Sequence, residues 1–243
     1  MVELCSWATL HFLRFGGIET AETLDLTRQP EGAASWQIGP DGEVGPEGIR
    51  LPSNIWCAVG LYRQRSDAER AVATPEEFMP FLAQATEAWH ALLLPVANRG
   101  ECNHLDPAAP GLMLQPATSD PGGPLVVVTT AGFDRGPEFT LARVISFRRA
   151  VDAVRDTVAG MDGNLARQVF TPHVVGPDGF TCTVWRDDKA MMAYAYRPGR
   201  HRTEMERYKA EHTADRTSFS RFRVLEARGQ WEGRCPIAAA ATT

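Results

Sequence analysis

No CxxC pair occurs in this chain, and neither does a G-x-S-x-G elbow, a P-loop or a G-x-G-x-x-G run. The last three absences exclude the hydrolase, NTPase and dinucleotide-binding signatures that rest on those turns. The five cysteines, Cys5, Cys57, Cys102, Cys182 and Cys235, are an odd number scattered without pairing. That pattern speaks against a disulfide framework and against a structural zinc site. Long apolar runs are missing too: residues 91–97 are interrupted by Pro95, well short of the ~20 residues that span a bilayer. No basic stretch precedes an apolar run near Met1, so a cytoplasmic protein is expected. Positive charge is also in short supply. Lys and Arg total 25 against 30 Asp and Glu, a net charge of -5, which offers no basic face for nucleic acid.

What is present is ordinary globular material. The 243 residues are 44% hydrophobic and 23% charged, enough for a sizeable core in one large domain or two smaller ones. The segment Gly-Pro-Asp-Gly occurs twice, at 39–42 and 176–179. Each copy has turn chemistry, with Pro presetting one dihedral and Gly expected at positive φ. Each precedes a strand-like run, 54–62 and 180–185, and then a polar helix start, Ser66-Asp67 and Asp187-Asp188. Later, residues 87–100 and 222–229 read as strands that both close on Arg-Gly. A breaker-rich linker, 105–124, separates the two series.

In the second series, 124–130 reads as a strand and 141–160 as an amphipathic helix with Val144, Phe147, Val151 and Val154 on one stripe. In the first, a strand around Leu4–Phe15 precedes a helix near 20–28. The order β-α-β-β-α-β predicts an α+β protein of two tandem ferredoxin-like halves. The halves are placed at 1–110 and 120–243, with their sheets packed face to face.

Six histidines are available, and no two have zinc-ligand spacing with a third acid or Cys. His11 and His90 fall inside predicted strands and read as partly buried, hydrogen-bonded rings. His104 and His173 read as exposed. His201 stands apart. A helix breaks at Pro198-Gly199 and restarts near Arg200, so His201 falls in a first turn. There His201, Met205, Tyr208 and His212 share one stripe. Such a stripe suits a flat apolar cofactor, although an amphipathic helix with one histidine is commonly just structural.

The residues 196–212, then Arg221 to Val224, then Gly229, Trp231, Gly233 and Pro236, resemble the C-terminal region of the spheroidene monooxygenase family. Residues 12–17, 56–72 and 158–170 are similar to that family as well, so the resemblance covers nearly the whole chain. The first half departs from it, since "NRGECNHLDP" replaces an expected Arg-Gly-x-Trp-x-Gly. The family contains haem and adds a keto group to an acyclic carotenoid. The resemblance therefore implies a dimeric α+β-barrel-like architecture, in a monomer or homodimer, with haem against the second half.

It also implies that His201 is the iron ligand, flanked by Met205 and Tyr208, with Arg197 and Arg200 beside the haem carboxylates. Arg202, Arg221 and Arg223 are further cations in reach of that role. Neutral imidazole is a common ligand to haem iron. His212 lies about 16 Å further along a helix, too far to share one iron. Cys182 is an alternative thiolate ligand. His173, His212 and Arg221 are candidates for acid–base work. The expected activity is a haem-dependent monooxygenase acting on an apolar or amphipathic small molecule, with an electron donor or peroxide as partner. A haem-dependent dehydratase of the oxime type and a cofactor-free small-molecule barrel are the alternatives.

Overall fold

The computed structural model describes residues 3–19, 24, 28–45, 48–50, 53–100, 112–134, 140–171, 178–211 and 214–237. Twelve strands and four α-helices follow one another in these residues. They are β1 (Glu3–Cys5), β2 (Trp7–Glu19), β3 (Ala33–Pro40), β4 (Glu43–Gly45), β5 (Gly48–Arg50), β6 (Ser53–Tyr62), α1 (Arg65–Ala73), β7 (Ala85–Gly100) and β8 (Leu112–Leu114). The second part holds β9 (Leu125–Gly132), α2 (Leu141–Val158), β10 (Asn164–Phe170), β11 (Gly179–Trp185), α3 (Asp188–Ala195), α4 (Arg200–Glu211) and β12 (Arg216–Gly229).

Eight strands form one antiparallel sheet in the order β10-β11-β9-β12-β7-β2-β6-β3. The second part, β12-β9-β11-β10, and the first part, β7-β2-β6-β3, each have the order 4-1-3-2 in their own numbering. That is the ferredoxin-like order, seen twice. The two sets join edge to edge, because the two fourth strands β7 and β12 pair with each other along Trp89–Gly100 and Ser218–Gly229. The curl of this sheet then brings the inner faces of the two sets together. Alternate residues of both halves, among them Leu10, Phe12, Val59, Trp89, Val128, Phe170, Phe180 and Phe222, form one core cluster. The expected face-to-face packing is thus achieved by one continuous sheet. At the far edges, Thr171 N–H donates to the Pro40 carbonyl at 3.0 Å.

The Arg-Gly strand ends have a common cause. Gly100 and Gly229 both adopt φ of +80°, and a Cβ at either would run into a carbonyl of the neighbouring strand, that of Thr217 or of Ala88. Only glycine tolerates both conditions. The first Gly-Pro-Asp-Gly segment behaves otherwise than expected, while Gly176 and Pro177 of the second lie outside the described residues. Gly39 and Pro40 belong to β3, where Gly39 pairs with Cys57, and none of Gly39, Gly42 and Gly179 has positive φ. The β4–β5 hairpin fills the chain between β3 and β6.

Helix starts are mixed. Asp187 caps α3 by accepting from Ala190 N–H, and Thr140 caps α2 by accepting from Arg143 N–H. In the first half, Gln64 is the N-cap and makes no side-chain cap, so Ser66 and Asp67 lie inside α1. The linker is partly claimed by the first half. β8 pairs with β1 in parallel, Ala117 N–H donates to the Pro95 carbonyl, and Leu112 and Leu114 enter the shared core. The helix expected at 20–28 (apart from Leu24 and Arg28), the linker up to residue 111 and His104 lie outside the described residues.

Candidate functional site

The outer faces of the two sheet halves are filled very differently. Over the first half, α1 and the turns at 75–84 cover a dense layer of Leu13, Phe15, Trp36, Trp56, Tyr62, Phe78, Met79 and Phe81. Every residue of β6 from Trp56 to Tyr62 is buried, on both faces. Over the second half, the outward residues of the central strands are small and only half-buried: Val127 and Thr129 on β9, Thr181 and Thr183 on β11. A central strand beneath a helix layer normally buries both faces, so this face is under-covered.

The covering helix tells the same story. α2 is 18 residues long, yet its fully buried residues are only Val144, Arg148 and Val158. Phe147, Val151 and Val154, from the expected apolar stripe, are half-buried. Two separate clusters remain, one at each end of the interface. Leu125, Val158, Trp185, Met191 and Tyr194 form the first, and Ala131, Phe133, Val144 and Ala214 the second. Between them lies a cavity of about 40 Å³ bounded by Thr129, Phe147, Arg148, Val151, Gly179 and Thr181. Outside it, α2 and α4 flank a groove of about 460 Å³, within the ~300–1,000 Å³ usual for small-molecule sites.

His201 sits at the first-cluster end of this interface. α3 ends at Ala195 with Tyr196 as its C-cap, Gly199 resets the chain at φ +154°, and α4 begins at Arg200. The first turn of α4 is tied down by Thr203, whose N–H and hydroxyl both donate to the Gly199 carbonyl. The His201 ring lies 4.8 Å from that of Tyr194. Tyr194 in turn packs on Trp185 and shares a 3.3 Å hydrogen bond with Thr157 of α2. The His201 ring is thus braced on an aromatic stack. Burial pushes the His201 pKa below its usual value, opposed by a backbone hydrogen bond with Ala195. Nδ1 of His201 is buried and has no hydrogen-bond partner.

The other expected site residues scatter. Arg200 lines the α2–α4 groove with Arg149, Glu204 and Arg207. Met205 is half-buried beside that stripe, and the Tyr208 side chain lies outside the described residues. Arg197 reaches the Met161 sulfur at 3.8 Å. Arg202 pairs with Glu206 along α4. Arg221 lies 3.9 Å from Asp188. Arg223 is committed elsewhere, donating to Asp120, Asp188 and the Gly123 carbonyl. His173 and His212 lie outside the described residues. Cys182 points into the shared inner core with Cys57, on the opposite sheet face from α4. No group of three or more His, Cys, Asp or Glu suited to a metal occurs among the described residues.

Arg148 escaped the reading of the sequence. It falls on the inward stripe of α2, four residues after Val144 and three before Val151. A charged residue at an apolar position was the available signal.

Two curated proteins resemble the chain. It is 24% identical over 184 residues to a spheroidene monooxygenase of Rhodobacter capsulatus, covering 76% of this chain and 72% of that one. It is also 24% identical to a spheroidene monooxygenase of Cereibacter sphaeroides over 96% of this chain and 71% of the relative. The similarity is at the level of the family and runs along most of the sequence. A crystal structure of an aldoxime dehydratase superposes with a TM-score of 0.53 at 10% identity, covering 90% of this chain and 82% of that one. That likeness concerns the fold. No family model matches the chain.

Proposed function

We propose that this protein is a haem-dependent monooxygenase-type oxidoreductase for an apolar or amphipathic small molecule. Its haem is held between the helix layer and the second half of the sheet. The observation that carries this reading is the under-covered outer face of β9 and β11, with the unpartnered Nδ1 of His201 at its edge. The curated relatives are named for monooxygenation, which supports an oxidoreductase. We also divide the chain functionally at 1–110 and 120–243, the second part carrying the cofactor.

The side-chain chemistry suits such a group, and seating it requires α2 to lift from the sheet, because the space between them is about 40 Å³. A flat, weakly polar floor of Val127, Thr129, Thr181 and Thr183 suits a planar apolar ring system. His201 would hold the iron. Its burial favours the neutral ring, and its hydrogen bond with the Ala195 backbone would orient a ligating imidazole. Tyr194 fixes the ring from behind. Arg200 would meet the haem carboxylates at the groove that it lines with Arg149 and Arg207, and the family resemblance makes Met205, Tyr208 and Arg197 the further cofactor-binding candidates. When bound, the haem would supply the activation of O₂ or peroxide that no side chain here can supply. The chain's own part is to bind and orient substrate and to keep water from the dry interface. With O₂ as oxidant the balance needs a two-electron donor; with peroxide it needs none. Of the three acid–base candidates, Arg221 lies among the described residues.

The test is an absorption spectrum of protein produced with a haem precursor, as isolated and after dithionite. A Soret band that shifts on reduction is expected. A colourless protein that also fails to take up added haemin would favour the cofactor-free barrel.

A further inference from the structure

The register of the sheet sets the outward side chains of its second half in rows that run across the strands. In one row Val169 of β10, Thr181 of β11, Thr129 of β9, Phe219 of β12 and Arg99 of β7 stand opposite one another in turn. Residues directly opposite in an antiparallel pair share a face, so all five point to the side of the half-buried floor on β9 and β11. Their cover thins along the row. Val169 is 2% exposed, Thr181 and Thr129 are half-buried, Phe219 is 41% exposed and Arg99 is exposed. The helix layer thus covers the β10 end of the row and leaves the β12 end open.

Along β12 this opening has two closed ends. Arg223, at one, is 4% exposed and donates to Asp188 at the start of α3. Thr217, at the other, is half-buried opposite Ala131, which packs with Phe133, Val144 and Ala214. Phe219 and Arg221 lie between them on the same outward face. α4 does not close the gap, since none of its described side chains is buried. A lone exposed aromatic on a solvated surface calls for no explanation. Phe219 differs, because its neighbour Thr129 also lines the space beneath α2, so the open strip continues the floor proposed for the cofactor. Positive charge flanks the ring. Arg99 stands opposite it, and Arg221 stands two residues on, about 7 Å along the strand. Arg221 stays 3.9 Å from Asp188, whose carboxylate is bonded to Arg223. An arginine that far from its nearest acid has donors to offer a planar carboxylate.

We infer that the open strip on β12 seats the substrate beside the cofactor, with Phe219 as its apolar contact and Arg99 and Arg221 as the partners of an acidic group. The substrate is accordingly an apolar acid, a hydrocarbon chain or ring system that lies on Phe219 and carries a carboxylate. This deepens the monooxygenase reading and rests on it only for the turnover of that molecule; the binding itself needs no haem.

Octanoate and 1-octanol, an acid and an alcohol of one chain length, are the probes. Calorimetric titration of the full chain, produced without haem precursor, should show saturable octanoate binding roughly tenfold tighter than that of octanol. Phe219→Ala should weaken both probes roughly tenfold, and Phe219→Leu, which keeps an apolar side chain, should restore most of that loss. Arg99→Gln and Arg221→Gln should each lower octanoate affinity and shrink its advantage over octanol. All three positions are at least partly exposed, so the variants should melt as the wild type does. In the haemin-loaded wild type, octanoate should shift the Soret band, and loaded Phe219→Ala should need roughly tenfold more octanoate for the same shift. A chain that takes up no haemin yet keeps the octanoate pattern would defeat the cofactor reading alone and support the strip. Octanoate affinity left unchanged by Phe219→Ala, octanol bound as tightly as octanoate, or a Soret band that saturating octanoate does not move overturns the inference.

Discussion

At the scale of single residues, two histidine sites make opposite use of burial. His201 has a nitrogen without a partner at the edge of an under-filled interface. His201→Ala should fold, since a half-buried ring on Tyr194 costs about 1 kcal/mol or less to remove. It should lose the Soret band or shift it to that of a water-ligated form. An unchanged spectrum would show that His201 is not the ligand. His11 and His90 instead satisfy each other: Nδ1 of one lies 2.8 Å from Nδ1 of the other, and His11 Nε2 meets Thr9 Oγ1 at 2.9 Å.

Burial lowers both pKa values, that of His90 to about 4, and the nearby Glu76 raises His90 while Arg228 lowers it. Both rings are thus neutral in the folded state, whereas the unfolded chain protonates near pH 6.5. The stability they contribute is fully present above about pH 6.5 and is lost as pH falls toward 4. We expect the urea midpoint to drop between pH 7.5 and 5, by on the order of 2 kcal/mol in unfolding free energy. His90→Gln should flatten that dependence; an equally steep variant would place the titrating group elsewhere.

At the scale of elements, the strand ends and helix caps carry the sharpest consequences. Gly100 and Gly229 finish the two strands that join the halves, both at positive φ and both against a partner's carbonyl. Alanine at either position must twist out of the left-handed region and push the neighbouring strand away. Each substitution should cost about 2 kcal/mol or more, read as a lower midpoint of chemical unfolding. A loss below 0.5 kcal/mol, roughly that of an ordinary surface change, would contradict the close approach. The α2 cap is milder. Thr140→Ala removes one acceptor from Arg143 N–H and should cost about 1 kcal/mol.

At the scale of the whole molecule, the two halves share one core and one seam. Residues of β2, β6 and β7 pack directly on residues of β9 to β12. The far edges are tied by the Thr171–Pro40 backbone bond, by Arg148 to Gly42, and by Arg155 with Asp41 at 3.3 Å. Each half alone would expose its inner face, a contiguous apolar surface of the kind that soluble chains avoid. Residues 1–117 and 118–243 produced separately should therefore be unfolded or aggregated, and should regain native circular dichroism on mixing. Two independently cooperative melting transitions would instead show self-sufficient halves.

The repeated strands and Arg-Gly ends, and the Asp187 cap of the second half, were legible along the chain because they depend on local chemistry: alternation, a side-chain cap and the steric freedom of glycine. The ferredoxin-like order and the break before His201 could be read for the same reason, since Pro198 and Gly199 act on their own neighbours. What only the tertiary structure decided concerns residues far apart in sequence. Nothing local says that β7 pairs with β12, nor that the first Gly-Pro-Asp-Gly begins inside a strand with Gly39 against Cys57. The His11–His90 pair joins residues 79 positions apart, and Cys182 was sent to the opposite face by the parity of its strand. The candidate site divides in the same way. His201 stood out by its position in a helix, whereas the thinness of the layer over β9 and β11 is a property of how α2 rests on the sheet. Arg148 became buried only once the residues around it, Gly42, Thr171 and Gly179, were brought together by folding, since the burial of a side chain depends on every chain segment that surrounds it.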